Sequence, residues 1–171
     1  MAVEDKYAAT LLDSDGALIN QTNPAFHTGG LSVKAVYNTI EVAAANDANS
    51  VYRMFRDVPA SIIPLFLAIG GDSALDITDF NVGLWKPNYG AVVSENCLAD
   101  ALNPSSGNAL SFAGALDGLA ALAIENRAKQ LYEIAGHTRY TKLGAYDIAF
   151  KSITDPGAAG TLSALLLFAH S

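Results

Sequence analysis

The fold is decided by the stretch AYDIAFKSI at residues 145–153, in which side chains alternate between two sides. Tyr146, Ile148 and Phe150 fall on one side and their neighbours on the other, which is the period of a β-strand with one buried face. A DPG turn signal follows, and residues 160–170 then alternate in the same way. The end of the chain therefore predicts two long strands separated by a turn.

The same period recurs towards the amino terminus. Four further stretches predict strands, at residues 33–42, 50–58, 62–69 and 77–85. Pro64 interrupts the third of them, and because proline donates no ladder hydrogen bond it predicts an edge position or a bulge there. Residues 127–135 predict a short helix that ends before Gly136. Residues 94–126 are compatible with short strands, loops or a weak helix.

The order of these elements predicts the fold class. Short strands separated by turn signals, without long helices or βαβ alternation, predict an all-β protein. We expect an antiparallel β-sandwich or barrel, jelly-roll-like, over residues 31–171. Residues 1–30 show no sustained periodicity and carry turn-forming DSDG, NQTNP and GG sequences. They predict an extended N-terminal arm that precedes the domain.

The amino-acid composition and charge distribution indicate which kinds of macromolecule the protein can bind. Apolar residues make up 51% of the 171 residues, charged residues only 16%, and the net charge is −7. An acidic chain is poorly suited to general nucleic-acid binding, because phosphate neutralisation needs an excess of Lys and Arg. Residues 127–151 nevertheless hold five basic and two acidic residues, a net charge of +3 against −10 elsewhere. Such asymmetry suits contact between protein subunits. The predicted interface residues are Arg127, Lys129, Arg139, Tyr140 and Lys142.

Location is suggested by what the chain does not carry. A single cysteine, Cys97, excludes an internal disulfide framework. The first residues, MAVEDK, are charged and precede no apolar signal-peptide core, and the longest apolar runs are too short to span a bilayer. We therefore expect a soluble protein that is synthesised in a reducing cytoplasm and has no membrane partner.

The sequence shows no motif for catalysis. His27, His137 and His170 have no metal-ligand spacing, and neither a GxSxG elbow nor a P-loop is present. We therefore expect no enzyme activity, cofactor or metal. Two alternatives remain open at this point. One is a small-molecule or carbohydrate-binding β-sandwich module that uses aromatic side chains, and the other is a hydrolase with a carboxylate pair. The candidate aromatic residues are Trp85, Tyr89, Tyr132 and Tyr140.

Several segments together resemble a family of virion proteins. The resemblance covers roughly residues 33–170 and rests on five sequences: ANSVYRMFRDVP at 48–59, residues 62–71, DFNVGLW at 79–85, QLYEIAG at 130–136, and YDI at 146–148 followed by AAGTL at 158–162. These are similar to strands, turns and a short aromatic helix of the small β-sandwich decoration, or cement, proteins in the heads of tailed bacteriophages.

This resemblance implies a function without covalent chemistry. It implies a protein on the exterior of the capsid that binds the major capsid protein and clamps neighbouring subunits. It also implies a homo-oligomer, a dimer or trimer, or a set of lattice neighbours. The arm is not part of the family pattern and would reach across a subunit boundary. Another head or tail component is the related alternative.

Overall fold

Long antiparallel strands dominate the computed structural model, which describes residues 32–43, 48–72, 75, 77–103, 115–138 and 144–170. The predicted arm, residues 1–30, lies outside these residues. Those described fall in one unit, Ser32–His170. Its elements are β1 Ser32–Val42, β2 Val51–Pro59, β3 Ile63–Gly71, β4 Phe80–Trp85, β5 Val92–Leu102, β6 Leu116–Asp117, a 3₁₀ turn Ile124–Asn126, α1 Leu131–Ile134, β7 Ala145–Ser152 and β8 Gly160–His170.

The strands form two four-stranded antiparallel sheets. The first sheet has the order β1-β8-β3-β6 and the second has the order β2-β7-β4-β5. Consecutive strands therefore often lie in opposite sheets, and this order is that of an eight-stranded jelly roll. The predicted all-β, jelly-roll-like sandwich with one short α-helix is confirmed.

A single apolar core joins the inner faces of the two sheets. Leu67 of β3 and Leu166 of β8 contribute from the first sheet, while Leu84 of β4 and Ile148 and Phe150 of β7 contribute from the second. Each of these side chains is at most 1% exposed. The alternation of residues 145–153 and 160–170 thus arises because every second side chain enters this core.

Local irregularities follow the predicted breakers in part. The pairing of β3 with β8 shifts between Pro64 and Phe66, which is the bulge that the proline predicts. The helix is shorter than residues 127–135, because the chain before it forms the 3₁₀ turn and an Asn126–Lys129 backbone hydrogen bond. Helix α1 then begins at Leu131, whose N–H donates to Ile62 O at 3.0 Å. Gly136 follows the helix with φ +83°, as expected for the residue that ends it.

The uncertain region 94–126 contains a long strand. Strand β5 pairs with β4 along its length, but the register shifts at three places, between Phe80 and Val82, Val82 and Leu84, and Leu84 and Trp85. These insertions break the period of two, so the strand has no clear signature in the sequence. In the described part of the chain, no helix is long and apolar enough to cross a membrane.

Candidate functional site

The outer face of the second sheet is closed by a buried polar network. Asp147 of β7 points away from the core and is 1% exposed. Its carboxylate accepts a hydrogen bond from the Arg53 guanidinium at 2.6 Å and another from the Asp57 N–H at 2.9 Å. Arg53 also donates to the carbonyl oxygens of Lys86 and Gly90, at 2.9 and 2.8 Å. Arg53 therefore fastens the β4–β5 turn over the sheet.

Strand β5 completes this cover. A β carbon at Gly83 would overlap the carbonyl oxygens of Ser94 and Glu95, so the β5 backbone lies directly against the outer face of β4. Lys151 pairs with Glu95 at 2.8 Å across the same face. We call the outer face of the second sheet the closed face, because polar groups there are already bonded to one another.

The outer face of the first sheet is open and apolar. The register places Tyr37 beside Leu165, and Leu167 between Ala35 of β1 and Phe66 of β3, all on the side away from the core. The residues of this open face are Val33, Ala35 and Tyr37 of β1, Phe66 of β3, and Leu165 and Leu167 of β8. Val33 is 65% exposed and Tyr37 59%, while the leucines are partly exposed. A contiguous apolar patch on three adjacent strands is typical of a protein-contact surface.

Strand β1 is exposed on both of its faces. Every described side chain from Val33 to Thr39 is exposed, although the strand pairs with β8 over eleven residues. The inner face of β1 opens because the two sheets separate there, leaving a groove of about 310 Å³ between β1 and β2. Its lining includes Val36, Met54, Asp57 and Phe168. The open face and the groove thus lie on opposite sides of one strand.

The predicted interface residues are only partly described. Arg127 and Lys129 lie between β6 and α1, in the 3₁₀ turn region. The Arg127 guanidinium pairs with Asp117 at 3.4 Å, with both side chains 48% exposed, and donates to Leu119 O at 3.4 Å. Arg139, Tyr140 and Lys142 lie outside the described residues. Lys151, also in the basic segment, is instead paired on the closed face.

The other candidate chemistries find little support in the geometry. Trp85 is 4% exposed, whereas Tyr89 is 78% exposed and stacks 5.5 Å from the guanidinium groups of Arg53 and Arg56. Trp85 and Tyr89 therefore do not share an exposed stacking surface. No three His, Cys, Asp or Glu residues cluster as metal ligands among the described residues. Burial raises the pKa of the Cys97 thiol, which disfavours the nucleophilic thiolate at neutral pH.

Comparison with known structures identifies a shared fold. A chain of the cyanophage Pam1 capsid asymmetric unit superposes with a TM-score of 0.55 over 93% of this chain and 97% of its own length, at 16% identity. The two chains share one fold. A chain from the acid-stable capsid structure of Helicobacter pylori bacteriophage KHP30 is also similar, with 12% identity, 81% and 92% coverage and a TM-score of 0.38, which is too loose to define a shared fold. No protein-family model and no curated protein matches the chain.

The open face was not among the residues singled out from the sequence. The signal that marks it is the run LLLF at 165–168, where apolar residues occupy both sides of a strand. A strand with two apolar sides is typical of one covered on both faces, whereas Leu165 and Leu167 remain partly exposed.

Proposed function

We propose that this protein is a non-catalytic structural component of a bacteriophage virion, which binds the outer surface of the capsid and bridges neighbouring capsid subunits. The observation that carries the proposal is the open face, an apolar surface on a rigid jelly roll. The likeness to a chain of the Pam1 capsid asymmetric unit supports the same role. In this proposal the major capsid protein is the partner that covers Tyr37, Leu165 and Leu167.

The physical argument favours a lattice partner. Full burial of an exposed Leu-sized side chain contributes about 1.5–3 kcal/mol. Leu165 and Leu167 are already partly buried, so each contributes less and a single copy gains a modest affinity. A protein that contacts two capsid subunits at once binds more tightly than either contact alone provides, because the second contact is made at a high effective concentration. The closed face, with its polar groups already bonded, would then face solvent.

The open face is tested by a double substitution, Leu165→Glu with Leu167→Glu. The two carboxylates lose the apolar contact of the leucines and would be desolvated in the interface. A combined penalty of about 3 kcal/mol predicts an affinity for capsid shells lower by roughly 100-fold. The measurement is cosedimentation of the purified protein with shells assembled from the cognate major capsid protein, and circular dichroism verifies that the variant is folded.

Ile124→Glu is the matched control, because Ile124 is 87% exposed and belongs to the 3₁₀ turn, not to the open face. This variant should bind shells as the unmodified protein does. The proposal fails if the unmodified protein does not cosediment with shells, or if the control loses binding as much as the double variant.

The basic segment gives a separate prediction about association. Reversing Arg127 and Lys129 to Glu should weaken shell binding about tenfold at roughly 50 mM NaCl and only about twofold at roughly 500 mM, since salt screens exposed charges. Cosedimentation at the two salt concentrations measures this difference, and Lys86→Glu, an exposed charge reversal on the β4–β5 turn, is the control. An equal loss at both salt concentrations would show that these charges do not steer association.

A further inference from the structure

The outer edge of β1 presents backbone groups that no described residue pairs with. Thr161 O accepts the Asp72 N–H at 3.0 Å, so the backbone groups of Thr161 point towards β3. Glu41 lies opposite Thr161, and the β1–β8 register continues without a shift. Backbone groups alternate along a strand, so those of the odd-numbered residues of β1 point away from β8. We call this side of β1 the free edge.

One half of the free edge is closed internally. The Thr39 N–H donates to Asn38 Oδ1 at 2.9 Å, and Asn38 Nδ2 donates to Met54 O at 2.7 Å. These two bonds tie the middle of β1 to β2 and occupy a donor of the edge. The other half, from Val33 to Tyr37, has no such closure in the described structure and carries the two most exposed large apolar side chains of the strand.

We propose that two copies of this chain pair through β1, antiparallel, about a two-fold axis at Ala35. This register uses the three free-edge positions of the open half: Ala35 pairs with the second copy's Ala35, and Val33 pairs with the second copy's Tyr37. Registers shifted towards the carboxyl end bring in Thr39, whose N–H is already bonded. The chosen register also sets Val33 and Tyr37, 65% and 59% exposed, against each other as a β-branched and aromatic cross-strand pair.

The groove gives this pairing charge complementarity. In the same register Lys34 lies opposite the second copy's Val36, at a non-hydrogen-bonded position where side chains are closest. Val36 lines the groove together with Asp57. Arg56 lines the same groove, with its guanidinium 5.5 Å from the Tyr89 ring centroid. Asp57 is exposed, and its carboxylate is in none of the ion pairs between described residues. The stem of Lys34 therefore covers the partner's Val36 while its ammonium group approaches the partner's Asp57.

This inference goes beyond the capsid role, because the pairing needs no capsid. It joins the first sheet of one copy to the first sheet of the other, edge to edge, and places both open faces on one side of the dimer. A covered edge also removes a template for uncontrolled strand addition, which a long apolar edge otherwise presents.

The test exploits the symmetry of the two charge contacts. Lys34→Glu alone sets two carboxylates against each other at both contacts, and Asp57→Lys alone sets two ammonium groups against each other. The dimer dissociation constant of each variant, measured by sedimentation velocity, should therefore be at least about tenfold higher than that of the unmodified protein. An equimolar mixture of the two variants forms opposite-charge pairs at both contacts and should restore dimers. A variant that has merely lost its fold cannot be restored by mixing, so this arm separates interface effects from misfolding.

Ala35→Pro provides a second, independent variant. Its N–H is on the free edge, so proline there leaves the β1–β8 hydrogen bonds intact and blocks only the pairing between copies. It should be a folded monomer with the circular dichroism of the unmodified protein. A monomeric or trimeric mass for the unmodified protein, an unrestored mixture or a dimeric Ala35→Pro protein would each overturn the proposal. Shell cosedimentation, measured separately, reports on the capsid role alone.

Discussion

Arg53→Ala is expected to lower the free energy of unfolding by about 3–5 kcal/mol, because it leaves the buried carboxylate of Asp147 without its charged partner. Asp147 is 1% exposed, and the Arg53 side chain 12%. Of the interactions at Asp147, the Asp57 N–H bond would remain, and one neutral donor does not offset the cost of a buried charge. Removal of Arg53 also frees the carbonyl oxygens of Lys86 and Gly90, so the β4–β5 turn should loosen.

Urea denaturation followed by tryptophan fluorescence measures this loss, since Trp85 precedes the turn. Arg127→Ala is the matched control: it breaks an ion pair of the same chemistry in which both side chains are 48% exposed. Screening by solvent limits such a pair to less than about 1 kcal/mol. Equal destabilisation by the two variants would show that burial does not determine the strength of the Arg53–Asp147 contact.

Gly83→Ala is expected to destabilise the protein by about 3 kcal/mol, the upper part of the range for overpacking. The added methyl group would meet the carbonyl oxygens of Ser94 and Glu95. Both are backbone atoms, so no side-chain rotation relieves the overlap, and β5 must move away from β4. We expect the amide protons of β5 to exchange faster with solvent than those of the first sheet.

Gly144→Ala is the control for the glycine substitution, because a β carbon there meets nothing within 4 Å. Its effect should stay within about 1 kcal/mol, set by the entropy of the unfolded chain. Hydrogen exchange and urea denaturation of both variants provide the measurement. An unchanged urea midpoint for Gly83→Ala would mean that the β5 backbone does not pack closely against Gly83 of β4.

β7 and β8 were predictable from the sequence. They follow the alternation of residues 145–153 and 160–170, because every second side chain meets the core and the extra residues at the register shifts lie in their partners β2 and β3. β5 was not predictable, since its pairing with β4 shifts three times and each shift reverses the sides. A strand with inserted residues lacks the period-two alternation, so its sequence pattern resembles that of a loop.

The candidate site was less predictable than the fold. The sequence pointed to charges such as Arg127 and Lys129, which lie in a turn region beside α1. The open face depends on what covers the outer side of β8, and that is decided by contacts between distant segments. The alternation of residues 160–170 puts Leu165 and Leu167 on the side opposite Leu166, but their neighbours on that side are set by the register with β1 and β3.

The two unlike outer faces have a consequence for growth. A protein with binding surfaces on two opposite faces can stack on its own copies without limit, and it then precipitates or forms fibres. Here the Arg53–Asp147 network already bonds the polar groups of the closed face. A copy attached through its open face therefore presents no second binding surface to the next copy. Copies of the protein should therefore accumulate as a single layer, because the hydrogen bonds within the closed face leave it no binding role.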